Sequence, residues 1–303
     1  MINYHNPVML EECISGLNIN PSGTYVDVTY GGGGHSKAIL DNLSEEGVLL
    51  VFDQDEDALG NRVEDPRLKF CEGNFKYLKH FCSYHGVDAI DGLLADLGVS
   101  SHHLDARERG FSFRFGASDL DMRMNPKAEL TAAEILNTYD QPNLAKLFRS
   151  YGDLDKASPI ANAIVDYRSA SPLKTTEDLE EAVKKFLNEK TKNKTLAKIF
   201  QAVRIEVNEE LGTLEDLLEQ ATELLADDGR LVVMSYHSME DRVVKNLIQT
   251  GNVQGDRKAD VFGRVPVVYK SLNKKPILAT TEEIAENSRA RSAKLRVARR
   301  VKS

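Results

Sequence analysis

Through the first third of the chain, short apolar, β-branched runs alternate with stretches of helical period. Runs at Tyr25–Thr29, Val48–Asp53, Leu68–Glu72 and Ala89–Asp96 predict strands. Ser36–Leu43, Asp55–Arg62 and Lys76–Tyr84 between them predict helices. Such alternation predicts a parallel, doubly wound α/β sheet. From about Leu104 the pattern changes. The segment "RERGFSFRFGASDLDMRMNP" has no regular period, and only helical patterns follow it. Leu179, Ala182, Val183, Phe186 and Leu187 fit the i, i+3, i+4, i+7, i+8 template, and Leu196, Ile199, Phe200, Val203 and Val207 nearly do. The α/β pattern then returns, with a helix at Leu211–Leu225, a strand at Gly229–Tyr236 and a helix at Glu240–Gln249. The whole predicts an α/β domain built from residues 1–104 and 211–303. A helical subdomain, residues 105–210, is inserted in it and is expected to cap the site and shape substrate choice.

Composition changes this picture little. The 303 residues are 41% hydrophobic and 28% charged, as in ordinary globular chains. No 18-residue apolar run suggests a membrane span, and "MINYHNPVMLEEC" lacks the features of a signal peptide. The three cysteines, Cys13, Cys71 and Cys82, show no CxxC spacing, which argues against a disulfide framework or a metal site and fits a cytoplasmic protein. Charge adds more. The net charge is −8, yet "NSRARSAKLRVARRVKS", from Asn287 to Ser303, holds seven basic residues and no acid. Such a strip either binds phosphates or is a solubilising tail.

The run Gly31-Gly32-Gly33-Gly34 falls between a strand and a helix. That layout lets a ligand approach bare backbone at a helix N-terminus. A dinucleotide fingerprint fails in both registers, because Ser36 or Lys37 stands where its third glycine belongs, and no GK[ST] follows. Asp53, at the end of the second strand, suits ribose hydroxyls. A nucleoside-bearing ligand without a pyrophosphate fits, S-adenosylmethionine being the common one. Asn74 and Phe75 follow the third strand, with Phe75 either stacking on adenine or lying in the core. Asp96 ends the fourth strand, either as a site residue or as a turn former.

With these motifs in view, the chain resembles the bacterial RsmH (MraW) methyltransferases. The resemblance rests on "HNPVML", "YVDVTYGGGGHS", "FDQDEDA", "GNF", "DLGVSSHHLD", "RGFSF", "LDMRM", "FQAVRIEVNEEL", "SYHSMEDRVVK" and "NSRARSAKLR". It implies a class I S-adenosylmethionine-dependent methyltransferase fold with a helical insertion, and methylation of the N4 amine of a cytidine in 16S ribosomal RNA of the small subunit. It implies cofactor contacts at Gly33, Gly34, His35, Asp53, Phe75, Asp96 and His103. Two departures stand out. The family often has alanine at the position of Gly33, an exchange expected to be tolerated, and it usually has Pro-Gln at His102-His103, which weakens the assignment of His103.

The cytosine amine is a poor nucleophile, because its lone pair is delocalised into the ring, so an enzyme must orient it and accept its hydrogen bonds. Asp96 is the candidate acceptor, although it could instead hold the cofactor. The [DNS]-P-P-[YFW] motif of many amino-methyltransferases is replaced by Asp96-Leu97-Gly98-Val99. Attack at cytosine C5 would need a cysteine nucleophile, and none is expected near the later strand tips. His237 is a candidate catalytic or RNA contact. "SMED" beside it reads as a capping-box variant of Ser238 and Asp241. Arg114, Arg123 and Arg242 are candidate RNA contacts, as are Arg289, Arg291, Lys294 and Arg296 of the basic strip. Phe111, Phe113 and Phe115 either stack on a flipped base or form a plain strand. The expected partner is the small ribosomal subunit, with no metal and no membrane, and the chain is a monomer or a homodimer. A methyltransferase acting on protein or a small molecule, and an RNA-binding assembly factor without turnover, are the rival readings.

Overall fold

The computed structural model describes residues 7–54, 60, 62–98, 109–257, 259 and 267–301. They fall into two compact units, Met1–Gly98 with Leu211–Ser303, and Val99–Glu210.

The first unit is built on one mixed sheet. Its strands are β1 (Thr24–Asp27), β2 (Val48–Asp53), β3 (Leu68–Glu72), β4 (Ile90–Asp96), β5 (Leu225–Ser235), β6 (Tyr269–Ser271), β7 (Ile277–Leu278) and β8 (Lys294–Arg300). The order is β3-β2-β1-β4-β5-β8-β6, with β7 also pairing β8. β1 to β5 pair in parallel and β8 runs antiparallel to β5, β6 and β7. This is the class I methyltransferase arrangement. The strand order reverses between β1 and β4, and ligands of open α/β sheets bind at the carboxyl ends of the strands beside such a reversal.

Strand alternation explains why the runs are apolar throughout. Successive side chains point to opposite faces, and both faces are covered. Val26, Leu50, Phe52, Leu93, Ala95, Leu231 and Val233 face one layer. Tyr25, Leu49, Val51, Leu94, Val232 and Met234 face the other. Helices α1 (Leu10–Leu17) and α2 (Gly34–Asn42) bury Cys13, Leu17, Ile39 and Leu40 in the second layer. Helix α3 (Leu78–Tyr84) packs in the first.

The second unit holds α4 (Ala132–Thr138), α5 (Gln141–Gly152), α6 (Ala157–Ala170), α7 (Thr176–Val183) and α8 (Lys192–Val207), around a core of its own that includes Phe148, Ile164, Ile199 and Val203. Thr131 with Glu134 and Thr175 with Asp178 form capping boxes at α4 and α7. Helices α9 (Glu210–Leu224) and α10 (Ser238–Thr250) then flank β5, and the short α11 (Thr281–Glu286) precedes β8.

One expectation cannot be compared with the fold and two differ from it. Most of the Asp55–Arg62 helix lies outside the described residues. The basic strip is not a tail: from Lys294 it is β8, inserted between β5 and β6. "FSFRF" is neither a strand nor a stacking platform. Ser112 caps a 3-10 turn at Phe113–Phe115, Phe111 is buried, and Phe113 meets Phe200 edge-on with a centroid separation of 5.4 Å.

Candidate functional site

The turn after β1 is organised by Asp27, a residue with no solvent exposure. Its Oδ1 accepts the Thr29 amide at 3.0 Å and the Thr29 hydroxyl at 3.3 Å, and its Oδ2 accepts the Ser36 hydroxyl at 2.6 Å. Thr29 Oγ1 in turn accepts the Asp96 amide at 2.8 Å, which joins the tips of β1 and β4. This side-chain bonding ends β1 two residues earlier than its apolar run suggests.

The glycines then serve different ends. Gly31 has φ +51° with nothing near the site of a Cβ, so the turn is left-handed and open there. Gly33 has φ +75°, and a Cβ would stand 2.9 Å from the Tyr30 ring. The exchange with alanine expected to be tolerated at this position is therefore strained in this chain. At Gly34 a Cβ would stand 2.8 Å from Pro7 Cγ. Pro7 thus packs against the first residue of α2, where only a glycine fits without a shift.

Three further groups lie at the adjoining strand ends. Asp53, the last residue of β2, accepts the Gly31 amide on Oδ2 at 2.8 Å. Phe75 opens a 3-10 turn capped by Asn74 and is half-buried against the first apolar layer. Asp96 ends β4, and its Oδ1 accepts the Gly98 amide at 3.0 Å. The Tyr236 ring, from the residue after β5, lies with Asp96 Oδ1 beside Gly98, which brings its hydroxyl toward the Asp96 carboxylate. Desolvation pushes the Asp96 carboxyl above the usual range, against the pull of His35, the Gly98 amide and the Tyr236 hydroxyl. Asp27 adds to the rise. The sequence reading missed Asp27, Thr29 and Tyr236. Their signal was present, since each sits within two residues of a strand end at the sheet's carboxyl edge.

Cys13 of α1 is buried in the second apolar layer, within range of the charges of Asp96 and Asp27. Burial, then Asp96 and Asp27, hold its thiol well above the ordinary value. Cys71 and Cys82 lie in the opposite layer, pushed up by burial to about 12 and about 11. A thiol kept protonated is a poor nucleophile.

Several candidates need correction. The His35 side chain is buried, and its Nε2 lies 3.0 Å from the Val8 carbonyl oxygen, which leaves its backbone as the part facing the turn. His237 is the N-cap of α10, not an exposed contact. Its Nδ1 accepts the Glu240 amide, and Glu240 Oε2 accepts the His237 amide at 3.2 Å and the Tyr236 amide at 2.8 Å. The capping box is thus His237–Glu240, one residue earlier than Ser238–Asp241. His237 Nε2 lies 3.0 Å from Glu240 Oε1 without hydrogen-bond alignment.

Arg296 is buried and grips Asp241 of α10 with two bonds of 2.7 and 3.1 Å, because alternation along β8 turns it toward the helix. Arg123 is held by Asp121 at 2.8 and 2.6 Å and donates to the Ala128 carbonyl at 2.5 Å, so its guanidinium is used within its own turn. Arg114, Arg242 and Arg291 are exposed, whereas Arg289 and Lys294 are half-buried. His103 lies outside the described residues. Gly33, Gly34, Asp53, Phe75 and Asp96 meet at one edge of the sheet.

The profile of the family described as the MraW methylase family matches residues 3–301. The chain is similar to "Ribosomal RNA small subunit methyltransferase H" of Bacteroides thetaiotaomicron, at 51% identity over 98% of this chain and 97% of that one. It is similar to the protein of the same name from Flavobacterium johnsoniae, at 50% identity over 99% of each. Among solved structures, an rRNA methylase from Streptococcus thermophilus aligns over 100% of this chain and 99% of that one, with 12% identity and a TM-score of 0.42.

Proposed function

This chain belongs to the MraW methylase family, and from that premise we propose that it transfers a methyl group from S-adenosyl-L-methionine to the N4 amine of a cytidine in 16S ribosomal RNA. The observation that carries the reading is the meeting of a bare glycine turn, Asp53 and Asp96 at the point where the strand order reverses. The open space at Gly31 fits an adenosyl ligand lying against main chain, and the carboxylate of Asp53 suits ribose hydroxyls. The cofactor supplies the electrophilic methyl group. Asp96 accepts a hydrogen bond from the acceptor amine, aligns it, and takes up the proton that N4 gives away as the N–C bond forms. A carboxylate with a raised pKa is the stronger base for this step. Attack at C5 finds no support, since all three thiols are held protonated.

Exposed Arg114, Arg242 and Arg291 are the proposed phosphate contacts. The helical unit, with its own core, is the proposed substrate-recognition part. The deciding experiment is transfer of label from S-adenosylmethionine to small subunits lacking the modification, followed by nucleoside analysis. N4-methylcytidine is expected. Label in another nucleoside would overturn the choice of atom, and cofactor binding without label in RNA would overturn the reaction.

A further inference from the structure

We propose that Tyr236 is a positioning residue, whose hydroxyl holds the Asp96 carboxylate in the orientation in which it meets the acceptor amine. This rests on the reading of Asp96 as that acceptor. Tyr236 is itself held from both sides. Its amide is bound by Glu240 Oε2 at 2.8 Å, so the capping box of α10 fixes the backbone from which the ring projects. On the other side the ring fills the space beside Gly98, where a Cβ would stand 2.9 Å from Tyr236 Cε2 and 3.0 Å from Asp96 Oδ1. The Gly98 amide thus bonds Asp96 Oδ1, and the Tyr236 hydroxyl is the proposed second donor that sets the side-chain torsion. A carboxylate with two fixed donors has fewer orientations to lose when substrate arrives.

The phenol is suited to the task. Burial and the nearby Asp96 raise its pKa, so it stays a donor across the working range. The groups facing the pair are His35 of α2, Asp27 at the end of β1, Cys13 of α1 and Glu240 of α10, and Cys13 also feels Glu12 and Glu283. None of them changes when only the phenol is altered.

Two variants test the proposal in the full chain with S-adenosylhomocysteine bound. In Tyr236→Phe the carboxylate loses a donor that favours its ionised form. Its titration, followed by ¹³C-carboxyl aspartate labelling and assigned with Asp96→Asn, should move up by about one pH unit. The acid limb of the methyl-transfer rate should move with it, while affinity for S-adenosylhomocysteine stays within about twofold. Replacing Tyr236 by 3,5-difluorotyrosine keeps the ring and strengthens the donor, so both should move down. This second variant decides the matter if the first does not fold. An Asp96 titration that stays in place overturns the proposal, whatever the reaction. A titration that moves while the rate profile does not overturns it too. Failure of the proposed function is distinct: the labelled nucleoside would not be N4-methylcytidine, while the Asp96 titration would still be readable without any substrate.

Discussion

Asp53 does two things with one carboxylate. It anchors the Gly31 amide, and it offers the acceptor proposed for the ribose. Asp53→Ala should therefore weaken cofactor binding at least tenfold, since a hydrogen bond to a charged group contributes about 1.5–3 kcal/mol. Calorimetry with S-adenosylhomocysteine checks this, and unchanged affinity would remove Asp53 from the site. Gly33 makes a different demand. An alanine there needs a left-handed φ, at about 1–2 kcal/mol, and also meets the Tyr30 ring at 2.9 Å. Gly33→Ala should lower the melting temperature by several degrees even without ligand, a loss measurable by calorimetry. Strand, turn and helix order made both residues visible in the sequence. The Tyr30 contact was not visible, because it depends on how the turn folds back on its own side chain.

At the scale of elements, β8 and α10 answer the question raised by the basic strip. Three of the strip's seven cations pair or bond inside the first unit. Arg296 binds Asp241, Arg299 pairs with Asp228, and Arg300 donates to the Val268 carbonyl at 3.0 Å. Arg296→Ala leaves Asp241 without its partner and should cost about 3 kcal/mol of stability. Denaturant melts of the variant test that value. Arg291→Ala should leave stability alone and lower RNA affinity. Equal RNA binding by the Arg291 variant would sink the phosphate role of this segment. A run of alternating cations reads alike as a solvated strip or as a strand, since only the neighbouring helix shows which face it turns inward. The capping box shows the same limit. His237 at an N-cap is an unusual choice beside Ser238, and the sequence favoured the commoner serine.

For the whole molecule, a net charge of −8 means that any RNA contact depends on a few local cations rather than on a general basic surface. The salt dependence of RNA binding should therefore be shallow. Replacing Arg114, Arg242 and Arg291 together by alanine should reduce its slope by about 2, taking roughly 0.7 per contact on single-stranded RNA. Binding measured across a salt series gives the slope, and an unchanged value would move the interface elsewhere on the chain.

Read alone, the sequence determined the strand and helix order of the sheet unit, the helical insertion, and the glycine turn with Asp53 and Asp96 at strand ends. These are local properties: periodicity encodes burial, and strand ends follow from where the apolar run stops. Tertiary structure alone decided which polar side chains were already taken. His35, His237, Arg123 and Arg296 all read as candidates for chemistry; His35, Arg123 and Arg296 are each bound by a partner inside the same unit, and His237 spends its Nδ1 on capping α10. It also brought Tyr236, 140 residues further along the chain, beside Asp96 at Gly98. Hydrogen bonds and charge act through space, so their partners appear only when the sheet has brought distant segments together.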